Sequence, residues 1–445
     1  MKKIIALLLA LVMVFALAAC ASKTEAPAEE TKTETAATET ATEEKTEQTT
    51  EEPAAETAAP ADFKVGFIML HDENSTYDLN FINGAKEAAE ALGVEYVIKT
   101  NVPEGQECYD AAADLADAGC NIVFADSFGH EDYMIQAAKE FPDVQFCHST
   151  GTKAHTENLA NYHNAFASIY EGRYLAGIVA GMKLNEMIEN GEFTADEAKM
   201  GYVGAFTYAE VISGYTSFFL GARSVCPTVT MEVTFTGSWY DETLEKTGAE
   251  LLIDRGCKLI SQHADSFGAP TACQNAGVPN VSYNGSTKNV GADTYIISSR
   301  IDWAPYYEYA IKAVMNGTAI DADWTGTLAT GSVVLEELNT DVAAAGTAEA
   351  IEAAKAKLES GELHVFDVST FTTKADDTMN TFKVDFLKVD ENGHITSYLA
   401  DVDTDEAYTG DTEVVHDGYF AESEKRSAPY FDLQIDGIEL LNTAM

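Results

Sequence analysis

Basic residues are scarce in this chain. Only 27 Lys and Arg stand against 73 Asp and Glu, for a formal net charge of −46 at pH 7. Phosphate backbones are gripped by clustered cations that release counterions, so nucleic acid is excluded as a partner. An electrostatic hold on anionic lipid is excluded on the same ground. Cysteine is also sparse: seven in 445 residues cannot build a disulfide scaffold. Cys108, Cys120, Cys147, Cys226, Cys257 and Cys273 fall mostly in strand or helix patterns and read as small buried hydrophobes. Catalytic signatures are missing too. No G-x-S-x-G, H-E-x-x-H or G-x-x-x-x-G-K-S/T occurs, and the nine His show no metal-ligand spacing. The chain therefore reads as a non-enzyme, with no cofactor and no metal. Asp401-Val-Asp-Thr-Asp405 opens like a calcium loop, but Glu406 stands where Gly is required and Thr412 where the closing Glu belongs, so it reads as a solvated acidic loop.

What is present is enough for a large core. The chain is 46% hydrophobic and 10% aromatic, and its length suggests two to three domains. Lys2 and Lys3 precede an apolar run, Ile4–Leu17, which is too short to span a membrane and ends in small residues. Leu17-Ala-Ala-Cys20 has the form of a lipobox, so residues 1–20 are expected to be a lipoprotein signal, with Cys20 carrying the lipid anchor. Residues 21–61 contain no aromatic residue and no Ile, Leu or Val. Such a segment cannot bury a core and is expected to be a disordered acidic tether, with a reach of roughly 35 Å. It carries 11 Glu and 3 Lys, so most of the acidity belongs to the body that follows.

From Asp62 the texture changes. Short apolar strands are expected at 64–70, 94–98, 121–125, 144–148 and 162–167, with helices at 81–92, 109–118 and 133–141 between them. A long helix at 169–188 carries Gly172, Gly177 and Gly181, which suggest close packing on a neighbour. A second series follows, with strands near 199–203, 228–235, 259–263, 280–283 and 294–298 and helices near 212–224, 243–254 and 271–276. This alternation implies βαβ units, and the expected fold class is α/β with two doubly wound parallel-sheet lobes. Helices are also expected at 303–316 and 343–360, and a hairpin over 382–399 with Asn392-Gly393 at its turn.

Open α/β sheets bind ligands beyond the carboxyl ends of their strands. Those loops repeatedly hold aromatics and carboxylates. The candidates are Asp72, Asn74, Tyr77 and Asp78 after the first strand, and Asp126, Ser127 and Phe128 after the third. In the second series they are Phe206, Trp239, Asp265, Asn284 and Trp303. Aromatic faces stack on planar or sugar ligands, and carboxylates accept from N–H and O–H groups. Asp and Ser also favour helix starts, so any single one of them can equally be a cap.

Several blocks resemble the basic-membrane-protein family of lipoproteins, which includes the purine-nucleoside receptor A type. They are Val65-Gly-Phe-Ile68, Asn83-Gly-Ala-Lys-Glu87, Ala137-Ala-Lys-Glu-Phe-Pro-Asp-Val144, Glu171-Gly-Arg-Tyr-Leu-Ala-Gly177, Met200-Gly-Tyr-Val-Gly204, Thr236-Gly-Ser-Trp-Tyr-Asp241 and Gly361-Glu-Leu-His-Val-Phe366. The resemblance implies a type I periplasmic-binding-protein fold with a multi-crossing hinge. It implies the solute-binding component of an ABC importer, on the outer face of the cell membrane, with a permease as partner and the protein itself a monomer. The small neutral ligand it implies is a nucleoside or nucleobase. Tyr77 then stands for the family's stacking Phe, and Trp239 for the opposing aromatic; Asp78 replaces an Asn, and Asp126, Asp265 and Asn284 take positions that face the ligand. The family's Lys near the Thr-Ser strand end is absent from Ser298-Ser-Arg-Ile-Asp302. The implied first lobe is 62–165 with about 300–325, the second 166–299 with about 326–375, and 376–445 is an extension. The alternative expectation is a lipoprotein that presents a sugar-like or other small solute to a membrane sensor. An enzyme on this scaffold and a transcription regulator are remote, for want of a nucleophile–base set and of a helix-turn-helix.

Overall fold

A short apolar run without alternation, bounded by turn residues, reads as a strand covered on both faces. Val65–Ile68, Ile122–Ala125 and Met200–Gly204 are such runs, and every residue in them is buried. The computed structural model describes residues 62–376, 379–380, 383–402 and 412–445. The signal, Cys20 and the tether lie outside the described residues, as does most of the acidic loop after Asp401. The first series is β1 (Lys64–Ile68), α1 (Thr76–Leu92), β2 (Glu95–Lys99), α2 (Gln106–Asp117), β3 (Ile122–Ala125), α3 (Glu131–Glu140), β4 (Gln145–Ser149), the single turn α4 (Ala154–Glu157) and β5 (Tyr162–Ala167). The second is α5 (Ile169–Glu189), β6 (Lys199–Gly204), α6 (Ala209–Val225), β7 (Thr230–Phe235), α7 (Glu242–Asp254), β8 (Leu259–His263), α8 (Gly268–Ala276), β9 (Asn280–Tyr283) and β10 (Tyr295–Ile301). After these come α9 (Ala304–Asn316), β11 (Asp323–Gly326), β12 (Val333–Leu335) and α10 (Thr347–Glu359).

Two sheets result. The first runs β11-β5-β4-β3-β1-β2 and is parallel throughout. In the second, β10-β9-β8-β6-β7 repeats that order of its own series, and β12 closes one edge antiparallel. Both lobes are therefore doubly wound, with the order reversing between β1 and β3 and between β6 and β8. The chain passes between lobes at Ser168, Asp302 and residues 327–332. These crossings are tied together: Ser168 N–H donates to Gly326 O at 2.8 Å and Asp302 N–H to Ser332 O at 2.8 Å.

The glycines of α5 mark its contact with α6. A Cβ on Gly177 would land on the Phe218 carbonyl, and one on Gly221 on the Tyr174 carbonyl. Backbone meets backbone here, which only glycine permits. The six named cysteines are buried free thiols, and burial pushes Cys147 up to about 12.

Several helices start earlier than periodicity suggests, α2, α3 and α8 by two or three residues. α1 opens at Thr76 because Ser75 caps it, accepting from Asp78 N–H; its polar first turn hides the helical period. α6 likewise opens at Ala209.

The chain after α10 forms β13 (Leu387–Val389), β14 (Ile395–Ala400), β15 (Thr412–Glu413), β16 (Val415–His416), β17 (Tyr419–Phe420) and β18 (Ile438–Leu440). β13 and β14 pair antiparallel across the turn at Asn392-Gly393, where Gly393 takes φ +90°. β18 extends the second sheet beside β7, with Ile438 opposite Met231. The same segment reaches the first sheet, where Ser427 N–H donates to Asp323 Oδ2 at 2.8 Å.

Glu422 sits inside this segment, buried, with Oε2 accepting from Phe431 N–H at 2.9 Å and Tyr430 N–H at 3.3 Å. Burial raises its carboxyl from 4.5 to about 7. The folded state thus holds a proton that the unfolded chain releases, so this stability is present at acid pH and lost as pH rises through 7. Glu422→Gln keeps an acceptor for both amides. It is expected to be near neutral at pH 5 and stabilising at pH 8, by on the order of 2–3 kcal/mol. Thermal melts at the two pH values check this; a difference that does not change with pH overturns it.

Candidate functional site

The carboxyl ends of β1 and β3 in one lobe face those of β6 and β8 in the other. Between them lies a cleft of about 340 Å³, counted to its mouth, of which about 20 Å³ is open to a water molecule. Tyr77 and Asp78 come from the first turn of α1, Ser127 and Phe128 from the loop after β3, Trp239 from the loop after β7 and Asp265 from the loop after β8. All six are candidates named from the sequence.

The carboxyls differ in their surroundings. Burial pushes the Asp78 carboxyl up, but the His71 ring, the Ser75 hydroxyl and the His71 amide donate to it and outweigh that, leaving it below its ordinary value. The Ser75 and His71 N–H contacts are both 2.6 Å. Asp265 is held well above the carboxylate range by burial, with the charges of Asp78, Glu245 and Glu210 adding to it. Asn284 stands behind it and donates Nδ2–H to Asp265 Oδ1 at 3.2 Å. Asp126 is fully buried beneath the cleft and is also held high, first by burial and then by Asp78. Its Oδ1 accepts from Leu70 N–H at 3.0 Å, while its main-chain carbonyl takes the Tyr77 hydroxyl at 2.7 Å. A carboxyl that keeps its proton can donate as well as accept.

Other candidates lie elsewhere. Phe206 is one ring behind, edge-on to Trp239 at 5.1 Å and 64°. Asp72 and Asn74 bond each other on an outlying turn, Nδ2 to Oδ1 at 2.8 Å, and do not line the cleft. Trp303 is placed in the core, 1% exposed and stacked on Phe81 at 4.3 Å. The chain has already crossed towards the first lobe there, so its ring fills the contact between α1 and α9.

Sequence reasoning missed five lining residues: Leu70, His71, Thr150, Glu210 and His263. His263 ends β8, its Nε2 lies 3.4 Å from Glu210 Oε1, and burial lowers its pKa. Gly214 leaves it room, since a Cβ there would come within 2.8 Å of Nδ1. Thr150 follows β4 with φ +71°, which is strained for a β-branched residue. Its buried hydroxyl has no partner among the described residues. The strand-end rule that found Asp126 applies equally to the β4 loop and was the available signal. Among the described residues, none that lines the cleft is Lys or Arg.

The lobes touch directly across this cleft. Thr76 N–H at the start of α1 donates to Asp265 O at 3.0 Å. Asn80 Nδ2 donates to Asn284 O. Phe128 stacks on Tyr208 at 5.3 Å.

Comparison with known proteins agrees with this architecture. The Bmp family, ABC transporter substrate-binding protein PnrA-like, matches residues 67–367. A purine-binding protein of Brucella abortus is 35% identical over 265 residues, covering 58% of this chain and 71% of that one. A Haloferax volcanii protein named as a putative ABC transporter glucose-binding protein is 33% identical over 263 residues, covering 59% and 63%. A crystal structure of an ABC transporter solute-binding protein from Aeropyrum pernix K1 superposes with a TM-score of 0.58 at 19% identity, covering 68% of this chain and 93% of that one. The shared fold is the type I periplasmic-binding-protein fold. Such substrate-binding proteins are extracytoplasmic; no helix among the described residues is long and apolar enough to cross a membrane. The chain belongs to the Bmp family and is an ABC transporter solute-binding protein of the PnrA-like kind.

Proposed function

We propose that this protein captures a neutral nucleoside or nucleobase between its two lobes and passes it to an ABC permease, as a monomer held to the membrane by lipid at Cys20. The closing lobes are 62–165 with about 300–325, and 166–299 with about 326–375. One observation carries the reading: the cleft has an aromatic ring from each lobe, Tyr77 and Trp239, several carboxyls, and no lining cation. A planar ring stacks between the aromatics while Asp78 and Asp265 meet its N–H groups or ribose hydroxyls. An anionic nucleotide is repelled. Arg300, in the neighbourhood of the missing family Lys, is held by Glu336 at 2.6 Å and Asp302 at 3.3 Å. A ligand that touches both lobes favours the closed arrangement by its difference in affinity between states.

The purified protein, titrated with nucleosides, nucleobases and glucose in a thermal-shift assay, tests this. Ligand at 100 times Kd adds about 2.7 kcal/mol to stability. A shift with a nucleoside and none with glucose is expected. The second reading is a sugar receptor, favoured by the same carboxyls as acceptors for hydroxyls and by the name of the Haloferax relative. A shift with glucose alone replaces the nucleoside reading by this one.

A further inference from the structure

Beside the cleft lies a much larger chamber. About 700 Å³ of it is open to a water molecule, against about 20 Å³ in the cleft. The two spaces share Phe128, Thr150 and Glu210 as walls, so their boundary runs along these three residues. The far wall comes from the C-terminal segment, through Arg426, Asp432, Gln434, Leu440 and Thr443. Those residues lie beyond the stretch that matches the family, which ends at residue 367.

We propose that this chamber is a second subsite, which takes a neutral, mainly apolar substituent of a nucleoside-type ligand whose ring occupies the cleft. This deepens the function proposed above and rests on it. The charged groups on the wall have hydrogen-bond partners within the protein, Glu210 Oε1 lying 3.4 Å from His263 Nε2. Lys383 pairs with Asp432. Arg426 donates to the carbonyls of Ala428, Val402 and Pro429 at 3.1, 2.9 and 2.9 Å. Gln434 donates to the Tyr215 hydroxyl. Ile212, Ala428, Pro429 and Leu440 give the space a broad apolar wall, beside the neutral side chains of Thr152, Thr207, Asn380 and Thr443. At the shared wall stands the strained Thr150, itself 3% exposed, with a buried hydroxyl that has no partner among the described residues. A hydrogen-bonding atom at the junction of ring and substituent satisfies it. Phe128 and Tyr208, stacked from opposite lobes, line the chamber beside that junction.

The test uses the full chain, with adenosine and two derivatives: one benzylated on the exocyclic amine, one bearing a benzyl ether on the ribose 5′ oxygen. Leu440→Trp and Thr443→Trp, made separately, each fill part of the chamber from a position that is not fully buried. Calorimetric affinities are read for all ligands, with melting temperature as the folding control. At least one benzyl derivative is expected to bind wild type as well as adenosine does. It should lose about tenfold or more when the chamber is filled, as burial of an aromatic group implies, while adenosine keeps its affinity. If adenosine binds but both derivatives are rejected, or neither Trp variant discriminates, the subsite is overturned and the nucleoside function stands. If adenosine and the other nucleosides do not bind at all, both fall together.

Discussion

Arg173→Met is expected to destabilise the protein by about 4 kcal/mol, lowering the melting temperature by roughly 5 °C. Arg173 lies on α5 and is fully buried. From beneath the second sheet its guanidinium reaches four strands. It donates to the Ser282 carbonyl of β9 at 3.1 Å and the Ser299 hydroxyl of β10 at 3.4 Å. It also donates to the Tyr202 hydroxyl of β6 at 3.3 Å and the Ser261 hydroxyl of β8 at 2.8 Å. No carboxylate pairs with it in an ion pair within 4 Å among the described residues. Its charge is met instead by ring faces, with Phe218, Tyr283 and Tyr202 at 4.9, 5.0 and 5.6 Å from the guanidinium carbon. Methionine fills similar volume but donates nothing, so it leaves buried acceptors unsatisfied, and each hydrogen bond to a charged group is worth about 1.5–3 kcal/mol. The Ser282 carbonyl cannot turn away as the hydroxyls can. Lysine restores the charge but not the planar fork, and is expected to recover only part of the loss. Urea unfolding of the three proteins checks this. A loss below about 1 kcal/mol would show that the sheet is held by packing alone.

Much of this fold was legible in the sequence, because a buried parallel strand writes itself as an unbroken apolar run. Val65–Ile68 and Ile122–Ala125 are plain on that criterion. Where polar residues serve local geometry, the reading failed. Thr76–Asn80 looks like loop but is the first turn of α1, because its polar residues cap the helix and meet the other lobe. Trp303 looked like a ligand contact because it follows a strand end. Nothing local reveals that the chain crosses lobes at Asp302 and carries the ring into a core. Thr150 follows a strand end as Asp126 does, so its place was open to the same rule. Its positive φ and its hydroxyl without a partner among the described residues leave no mark on composition. β18, only three residues long, is defined by a partner strand some two hundred positions earlier, which no window of sequence contains.

Trp239→Ala is expected to weaken ligand binding by up to about a hundredfold while leaving the unliganded fold intact. Stacking on an aromatic ring contributes roughly 1–3 kcal/mol per base, and a tenfold change in affinity corresponds to about 1.4 kcal/mol. The ring is half-buried and leans on Phe206 and Tyr208, at 5.1 and 6.1 Å. Its removal therefore exposes a face that already borders solvent, and the melting temperature without ligand should move little. The main-chain carbonyl of Trp239 accepts Asp265 N–H at 3.0 Å, a bond that alanine keeps. The position of the Asp265 carboxyl is thus preserved, and the loss reports stacking alone. Trp239→Phe should retain most of the affinity, since a smaller ring still offers a π face. The order wild type, Phe, Ala in affinity, with matching unliganded melts, is the signature of a stacking wall. Equal affinity in all three would instead put the ligand nearer Tyr77 and Thr150, with Trp239 serving only to carry the backbone that holds Asp265.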